Sequence, residues 1–322
     1  MLAKFGNSRM YDKVKFWLDR GLYKEEYSAI VNSLENATIS TDKKGETWVN
    51  GNLGNLKISA QIGGLSVVGS LPKYLYGHNA YNLDLNSTGQ AIEKIEDDLH
   101  ISIGGAHITE IEFGSTFQMQ KEVSEYLLRL GEAPRLCRGG FGTSTLYYTG
   151  KGKRPARVLA FYDKAKEMGG ELAEIPAELR GKNLLRFEMR ERGRLGQRLG
   201  VPRVTASTLT QRAFYTKMIK RYKEGYFSIA KQNQLKTNAM DGIKTVSQAY
   251  DAFVAQLIMQ SKQGQAQEFI EDLKRAGVFK DRKDYTRLKN RIARASTGAK
   301  FVEADELIKE LDDDIINCCA YG

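Results

Sequence analysis

The chain has 322 residues, 41% of them hydrophobic and 27% charged, and a formal net charge of +10. That composition excludes a disordered or fibrous chain, and the length allows one large domain or two modest ones. No apolar run reaches membrane-spanning length, the first residues lack a signal-peptide core, and the only cysteines, Cys137, Cys318 and Cys319, match no zinc spacing. These features predict a cytoplasmic, reduced protein without a membrane anchor. The charge is uneven. Residues 181–231 hold 13 Lys and Arg against three Glu (Glu188, Glu191, Glu224), so this stretch alone carries the +10 excess. Phe187, Phe214, Tyr215, Tyr222, Tyr226 and Phe227 are interleaved with it, a mixture that can grip phosphates and stack bases. A polyanionic partner is therefore expected, nucleic acid ahead of acidic membrane.

Residues 10–18 read as an opening strand, with Val14, Phe16 and Leu18 on one face and Lys13, Lys15 and Trp17 on the other. A short helix is expected over 25–34. Strands follow over 46–50, 55–62 and 66–71, separated by Gly-rich and Asn-Gly turns in a β-meander. Residues 72–79, Pro-Lys-Tyr-Leu-Tyr-Gly-His-Asn, read as a polar and aromatic loop. Asn86, Ser87 and Thr88 offer N-caps for a helix whose buried stripe is Ala91/Ile92, Ile95 and Leu99. Residues 106–116 alternate as a strand, with Ile108, Glu110 and Glu112 on one face and Ile111 and Phe113 on the other. A helix with Val123, Leu127 and Leu130 on its stripe ends at Gly131. Gly139-Gly140-Phe141-Gly142 reads as a flexible link, since no Gly-Lys-Ser/Thr follows to make a phosphate loop.

Residues 143–149 are expected as a strand ending in Tyr147-Tyr148. A basic turn carrying Lys151, Lys153 and Arg154 leads into a second strand over 157–166, so the two should form a hairpin. Here Leu159 and Phe161 share one face, and Val158, Ala160, Tyr162 and Lys164 the other. Residues 183–190 alternate likewise, with Leu185, Phe187 and Met189 opposed to Arg186, Glu188 and Arg190. Helical spacing then takes over at 207–222, 245–260, 267–276, 283–295 and 303–316. A polar run at 230–241 suggests a boundary between an α+β part, 1–230, and an all-helical part, 231–322. The expected fold class is α+β: an antiparallel sheet with helices packed on one face, followed by an all-helical C-terminal region.

If strands 157–166 and 183–190 share a sheet, Tyr162, Lys164, Glu188, Arg186 and Arg190 converge on one open face. That set offers a nucleophile, a metal ligand and cations for a phosphate, the parts that phosphodiester chemistry needs. Each residue also has a plainer reading. Tyr162 is one of sixteen tyrosines, and Tyr148, beside the basic turn, is an equal candidate. Glu112 and Glu188 suit cross-strand pairing with Arg186 or Arg190 better than metal binding when taken singly. Two carboxylates on neighbouring strands favour a hard cation, Mg²⁺ or Mn²⁺. His78 is a loop histidine of the kind that usually only hydrogen-bonds, although Gly77 and Asn79 around it point to a tight functional turn. His100 and His107 match no ligand spacing.

Taken in order, five segments resemble the gene II/X group of phage and plasmid replication initiators, typified by the filamentous-phage gene II nicking-joining endonuclease, and more distantly plasmid rolling-circle initiators. Gly77-His78-Asn79 matches the end of the family's Pro-Ala-Lys/Gly-His-Asn loop. Ile108-Thr109-Glu110-Ile111-Glu112 is similar to its Ile-Ser-Arg-Ile-Asp strand, with Glu112 in place of the acidic metal ligand. Leu159-Ala160-Phe161-Tyr162-Asp163-Lys164 resembles the strand of the catalytic tyrosine. Leu185-Arg186-Phe187-Glu188 matches Val-Arg-Phe-Glu, and Phe214-Tyr215 to Gly225-Tyr226 its Phe-Tyr…Glu-Gly-Tyr helix.

The resemblance implies an HUH-like, rolling-circle-initiator fold and a metal-dependent, site-specific nicking and joining of DNA. Mg²⁺ or Mn²⁺ would be held by Glu112 and Glu188 with His78. Tyr162 would attack, leaving a 5′-phosphotyrosyl enzyme and a free 3′-OH that primes replication, with Lys164 lowering the tyrosine's pKa or stabilising developing charge. Tyr148 stays open as nucleophile, because some plasmid initiators carry it on the preceding Tyr-x-Gly strand. Arg186, Arg190, Arg192 and Arg194, with Lys151, Lys153 and Arg154, would track the DNA backbone. The implied partners are origin DNA, single-stranded or in a hairpin at the nick, a host replication helicase or polymerase, and a second copy of the chain. The C-terminal helices would recognise the origin or dimerise, with 282–294 as the DNA-facing candidate, all in a bacterial cytoplasm. The main rival is a non-catalytic nucleic-acid-binding replication or regulatory protein. A tyrosine recombinase fits poorly, since its tyrosine belongs on a helical domain and Tyr162 lies in a strand pattern.

Overall fold

A computed structural model describes residues 10–19, 21, 24–41, 43, 45–61, 63–168, 176–231, 233–235, 243–260, 265–297 and 302–320. The period-two segments fold as β1 (Tyr11–Leu18), β2 (Glu35–Thr41), β3 (Thr47–Leu53), β4 (Leu56–Gln61), β5 (Gly64–Ser70), β6 (His107–Met119), β7 (Cys137–Phe141), β8 (Thr145–Thr149), β9 (Arg157–Asp163) and β10 (Asn183–Arg192). They make one ten-stranded sheet in the order β2-β3-β4-β5-β1-β6-β10-β9-β8-β7. Every neighbouring pair in it is antiparallel. A separate two-stranded ribbon joins β11 (Asn233–Leu235) to β12 (Val302–Ala304).

The helices are α1 (Lys24–Ser33), α2 (Leu71–Tyr76), α3 (Leu85–Leu99), α4 (Val123–Arg129), α5 (Lys164–Glu167), α6 (Leu195–Leu199), α7 (Ala206–Leu209), α8 (Arg212–Phe227), α9 (Val246–Gln260), α10 (Gln265–Arg275), α11 (Arg282–Thr297) and α12 (Glu306–Cys319). The apolar stripes of α3, α4, α8 and α12 bury against the sheet face formed by Phe113, Phe161, Leu185, Phe187 and Met189. Aromatic rings carry much of this contact: Phe161 stacks on Phe187 at 4.3 Å, and Phe187 meets Tyr222 of α8 at 4.4 Å. The fold is thus α+β, with an antiparallel sheet, helices packed on one face and a C-terminal helical region. Among the described residues no helix is long and apolar enough to cross a membrane.

Several sequence expectations are corrected. Residues 71–76 are helical rather than looped, because Ser70 caps the N-terminus, Pro72 is tolerated in the first turn, and Gly77 closes the helix in the left-handed region at φ 81°. The cap of α3 is Asp84, whose side chain accepts from the Ser87 N–H in a capping box, and not residues 86–88. Gly139–Phe141 is no flexible link but part of β7, the edge strand paired with β8, and Gly140 lies flush against the Thr145 carbonyl, where a Cβ would collide. Strand β2 was not foreseen: its side chains are almost all exposed, so it has no alternating pattern to betray it. The expected helix over 207–222 is two, α7 and α8.

Ile108 does not share a face with Glu110 and Glu112. Lys15 pairs with Glu110 and Phe16 with Ile108, so β6 holds one extra residue there. This bulge resets the alternation and turns Ile108 into the core. The polar boundary at 230–241 falls largely outside the described residues. Beyond it, α12 returns to the sheet: Ile308, Leu311 and Ile315 are in the main core, the Tyr226 hydroxyl donates to Asp312 at 2.7 Å, and Arg129 pairs with Asp305 at 2.9 Å.

Candidate active site

Opposite the helix layer, the middle of the sheet carries a polar row. In the β10–β9 ladder Arg186 pairs with Tyr162 and Glu188 with Ala160; in the β10–β6 ladder Arg190 pairs with Glu112. The alternation that sends Leu185, Phe187 and Met189 into the core therefore puts Arg186, Glu188 and Arg190 on this face with Tyr162 and Glu112. The faces expected for β9 and β10 are those observed, except that the strand expected over 157–166 ends at Asp163, which caps α5, so Lys164 is helical and not on the strand face. At one end the row is roofed by α5 and a 3-10 turn, Ala177–Leu179, through a small cluster of Ala80, Met168, Leu179 and Leu184.

A residue that sequence reasoning missed completes the row. Tyr11 pairs with Phe113 and Val14 with Ile111, so β1 has one residue more than β6 between these pairs. Tyr11 and Val14 both stay in the core, and the bulge turns Asp12 to the polar face. There its carboxylate accepts from Arg186 Nη2 at 2.5 Å and from the Ser70 hydroxyl at 2.6 Å. Strict alternation would have set Asp12 on the core face beside Val14 and Phe16. That conflict of an acid with a core position was the available signal.

Arg186 is the pivot. It is fully buried, and donates to Glu188 at 2.7 Å, to Asp12, to Thr116 Oγ1 at 3.1 Å and to the Asn79 carbonyl at 3.4 Å. The Tyr162 hydroxyl donates to the same Glu188 Oε1 at 2.8 Å. Arg190 pairs with Glu112 across β10 and β6, so the expected cross-strand pairing is realised for Glu112, whereas Glu188 is paired along its own strand by Arg186. Even so, one oxygen from each of Asp12, Glu112 and Glu188 can be chosen so that all lie within 4.8 Å of one another, and all three residues are buried. Three hard oxygen donors at this spacing, with only two guanidiniums paired to them, can chelate a divalent cation such as Mg²⁺ or Mn²⁺.

The electrostatics follow from burial and crowding. Burial, and then the charge of Glu188, push the Glu112 carboxyl up to about 7 against the pull of Arg190. Burial also works against ionised Glu188, but the charge and hydrogen bond of Arg186 and the Tyr162 hydroxyl outweigh it and hold that carboxyl below its usual range. Burial opposes the charge of Arg186, and Tyr162, Asp12 and Glu188 more than restore it. Burial raises the Tyr162 hydroxyl well above the ordinary phenol value, with Arg186 acting in the opposite direction.

The remaining sequence candidates divide. Lys164 begins α5 just after Tyr162 and is buried, but its ammonium donates to Asn79 Oδ1 at 3.0 Å and to Glu167 at 2.6 Å. His78 follows α2 between the rings of Tyr76 and Tyr81; its buried Nδ1 has no hydrogen-bond partner, and it is not one of the three clustered ligands. Tyr148 lies on the opposite, helix-covered face, where its hydroxyl donates to the Gly131 carbonyl at 2.7 Å and its ring meets Phe161. Burial raises its pKa too. The structure therefore does not bring Tyr148 to the carboxylates. Arg192 forks onto Glu110 with contacts of 2.9 and 3.1 Å. Lys151, Lys153, Arg154 and Arg194 are exposed at the end of the sheet away from Tyr162.

Residues 10–217 match a family described as the N-terminal part of the replication-associated protein that is the phage gene II product. Among solved structures, the chain is similar to a rolling circle replication initiator protein from Geobacillus stearothermophilus at 11% identity and a TM-score of 0.37, over 70% of this chain and 87% of that one. No curated protein matches the chain significantly. The matched stretch spans more than half of the sequence, including Asp12, Glu112, Tyr162 and Glu188. The chain belongs to the gene II-like family of replication-associated, rolling-circle initiator proteins.

Proposed function

We propose that the protein nicks and rejoins origin DNA by transesterification at Tyr162. The observation that carries this reading is the Tyr162 hydroxyl donating at 2.8 Å to Glu188, within a triad of buried carboxylates that can take a divalent ion. Glu188 is held ionised and is placed to accept the tyrosine's proton. The phenolate oxygen then forms a bond to phosphorus while the bond from phosphorus to the 3′-oxygen breaks; the leaving oxygen takes up a proton. The products are a 5′-phosphotyrosyl enzyme and a free 3′-OH, and joining is the same exchange run backwards.

The ordinary phenol pKa is raised here by burial, so deprotonation needs local help. Arg186 supplies it as a fixed positive charge beside both the hydroxyl and Glu188, positioning the base and favouring the phenolate. A divalent ion held by Asp12, Glu112 and Glu188 would supply Lewis-acid stabilisation of charge on the phosphate. Lys164, held by Asn79 and Glu167, fixes the start of α5 against the row and keeps a cation near the approaching strand. The exposed Lys151, Lys153, Arg154 and Arg194, with Arg190 and Arg192, would follow the backbone away from the reacting nucleotide. The helices beyond residue 243 would engage the origin or a second copy.

Incubation of the wild type and Tyr162→Phe with Mn²⁺ and single-stranded DNA carrying the replicon's own origin tests the reading. A denaturation-resistant protein–DNA adduct is expected from the wild type and absent from the variant. DNA binding by both proteins with no adduct from either would point instead to the non-catalytic binder.

A further inference from the structure

A second constellation of charge lies on the other side of the sheet. Glu191 of β10 is fully buried, and three arginines from three different elements converge on its carboxylate. They are Arg157, which opens β9, at 2.9 Å, Arg221 of α8 at 2.8 Å, and Arg198 of α6 in closer contact still. Among the described residues none of the three reaches a second carboxylate, so one negative charge is shared by three positive ones. Their side chains keep 28%, 27% and 23% of their surface open, respectively. Each guanidinium has five N–H donors, whereas the carboxylate has two oxygens. Arg157 gives one further donor to Met189 Sδ and Arg198 gives its Nη1 to backbone carbonyls, and the remaining donors leave a half-buried, positively charged nest.

Conformational support for this nest is extensive. Arg198 is also held by the carbonyls of Ala156 and Arg192, at the foot of the turn that presents Lys151, Lys153 and Arg154. Burial first, and then repulsion from Arg221 and Arg157 against the pull of Glu191, lower the Arg198 pKa below its ordinary value, as expected of a cation cluster short of counter-charge. Fork-shaped, partly desolvated guanidiniums bind oxyanions such as phosphate bidentately. From Glu188 to Glu191 the strand advances about 10 Å and changes face, so an anion here cannot be the one that reacts with Tyr162.

We propose that Arg157, Arg198 and Arg221, arranged on Glu191, form a second phosphate-binding site that takes a backbone phosphate of the nucleic acid some distance from the reacting nucleotide. The assignment of the phosphate to nucleic acid rests on the functional reading above; the oxyanion site itself does not.

Two measurements test it. In the wild type labelled for observation of arginine Nε–H signals, inorganic phosphate should shift the signals of these three arginines saturably; the absence of any shift would overturn the site. In Arg198→Gln/Arg221→Gln, binding of a single-stranded oligonucleotide should weaken roughly three- to tenfold at low salt. The slope of log K against log salt should also fall in magnitude by about 0.7–1.4, one or two phosphates' worth. Phosphate shifts with an unchanged slope would mean that a free phosphate, and not nucleic acid, is the ligand. Should the double variant melt below the assay temperature, the single variant Arg221→Gln is read in its place, with a fall of about 0.7 in the same slope expected. A wild type that forms no tyrosyl adduct but passes both tests would sink the nickase reading and leave this site standing.

Discussion

Replacing Arg186 with methionine should expose how much of the fold's stability is tied to its polar row. The side chain is completely buried and makes hydrogen bonds to Asp12, Glu188, Thr116 and the Asn79 carbonyl. Methionine matches much of its length but leaves Asp12 and Glu188, both buried, without their shared cation and close to Glu112. Removing one partner from a buried ion network typically costs about 3–5 kcal/mol, because the orphaned charges cannot regain water. For a chain of 322 residues that corresponds to a fall of roughly 4–8 °C in melting temperature. The sign of the pH dependence follows from linkage. In the wild type Glu188 is depressed, so its stabilisation is present above the unfolded pKa and is lost as the pH falls. In Arg186→Met that contribution is gone and the crowded carboxyls prefer to be protonated. The deficit should therefore be large at pH 7.5 and clearly smaller at pH 5.5, and Mn²⁺ should recover part of it at the higher pH. Thermal unfolding followed by circular dichroism at the two pH values reads all of this. A variant that melts within about 2 °C of the wild type at pH 7.5, or whose deficit is the same at both pH values, would mean that Arg186 does not hold the buried carboxylates ionised.

Other expectations can be checked alongside. Glu112 keeps its proton up to about pH 7, so Mn²⁺ must displace it; affinity measured by calorimetry should rise about tenfold per pH unit below 7 and level off above, with proton release, and Glu112→Gln should flatten the profile. In the metal-free protein the same raised pKa stabilises the fold fully below the unfolded carboxyl value, and this is lost as the pH rises through about 7. A Cβ at Gly114 would overlap the Phe187 carbonyl and lie 3.0 Å from the Glu188 Cα and Cγ, so Gly114→Ala should destabilise by about 1–3 kcal/mol in urea unfolding and weaken Mn²⁺ binding. Leu311 of α12 is fully buried in the sheet core, and Leu311→Ala should cost about 2–5 kcal/mol in the same assay; a neutral effect would mean that α12 does not belong to that core.

Much of the site was legible because β9 and β10 are regular: with no bulge between residues 158 and 163 or 184 and 190, a period of two sends Tyr162, Arg186, Glu188 and Arg190 to one face and their apolar neighbours to the other. Asp12 was not legible in the same way. Its side depends on one extra residue in β1, which is a property of the pairing with β6 and not of the local pattern. Ile108 was misplaced for the mirror-image reason, a bulge in β6. The helix over residues 71–76 was hidden by Pro72 and two tyrosines, although Ser70 before it and Gly77 after it are an ordinary start and stop. The burial of Tyr148 against the helix layer could be inferred only once β8 was paired with β9, where Tyr148 stands opposite Leu159. The Glu191 cluster joins residues from positions 157 to 221 through three-dimensional packing, which no spacing in the chain announces.

The role of Tyr162 as nucleophile can be tested at the residue itself. The most direct measurement is mass spectrometry of the proteolysed adduct formed with Mn²⁺ and single-stranded origin DNA. The nucleotide mass is expected on Tyr162 and should disappear in Tyr162→Phe. A nucleotide found on Tyr148 or any other residue, or an adduct of undiminished yield in Tyr162→Phe, would contradict that role.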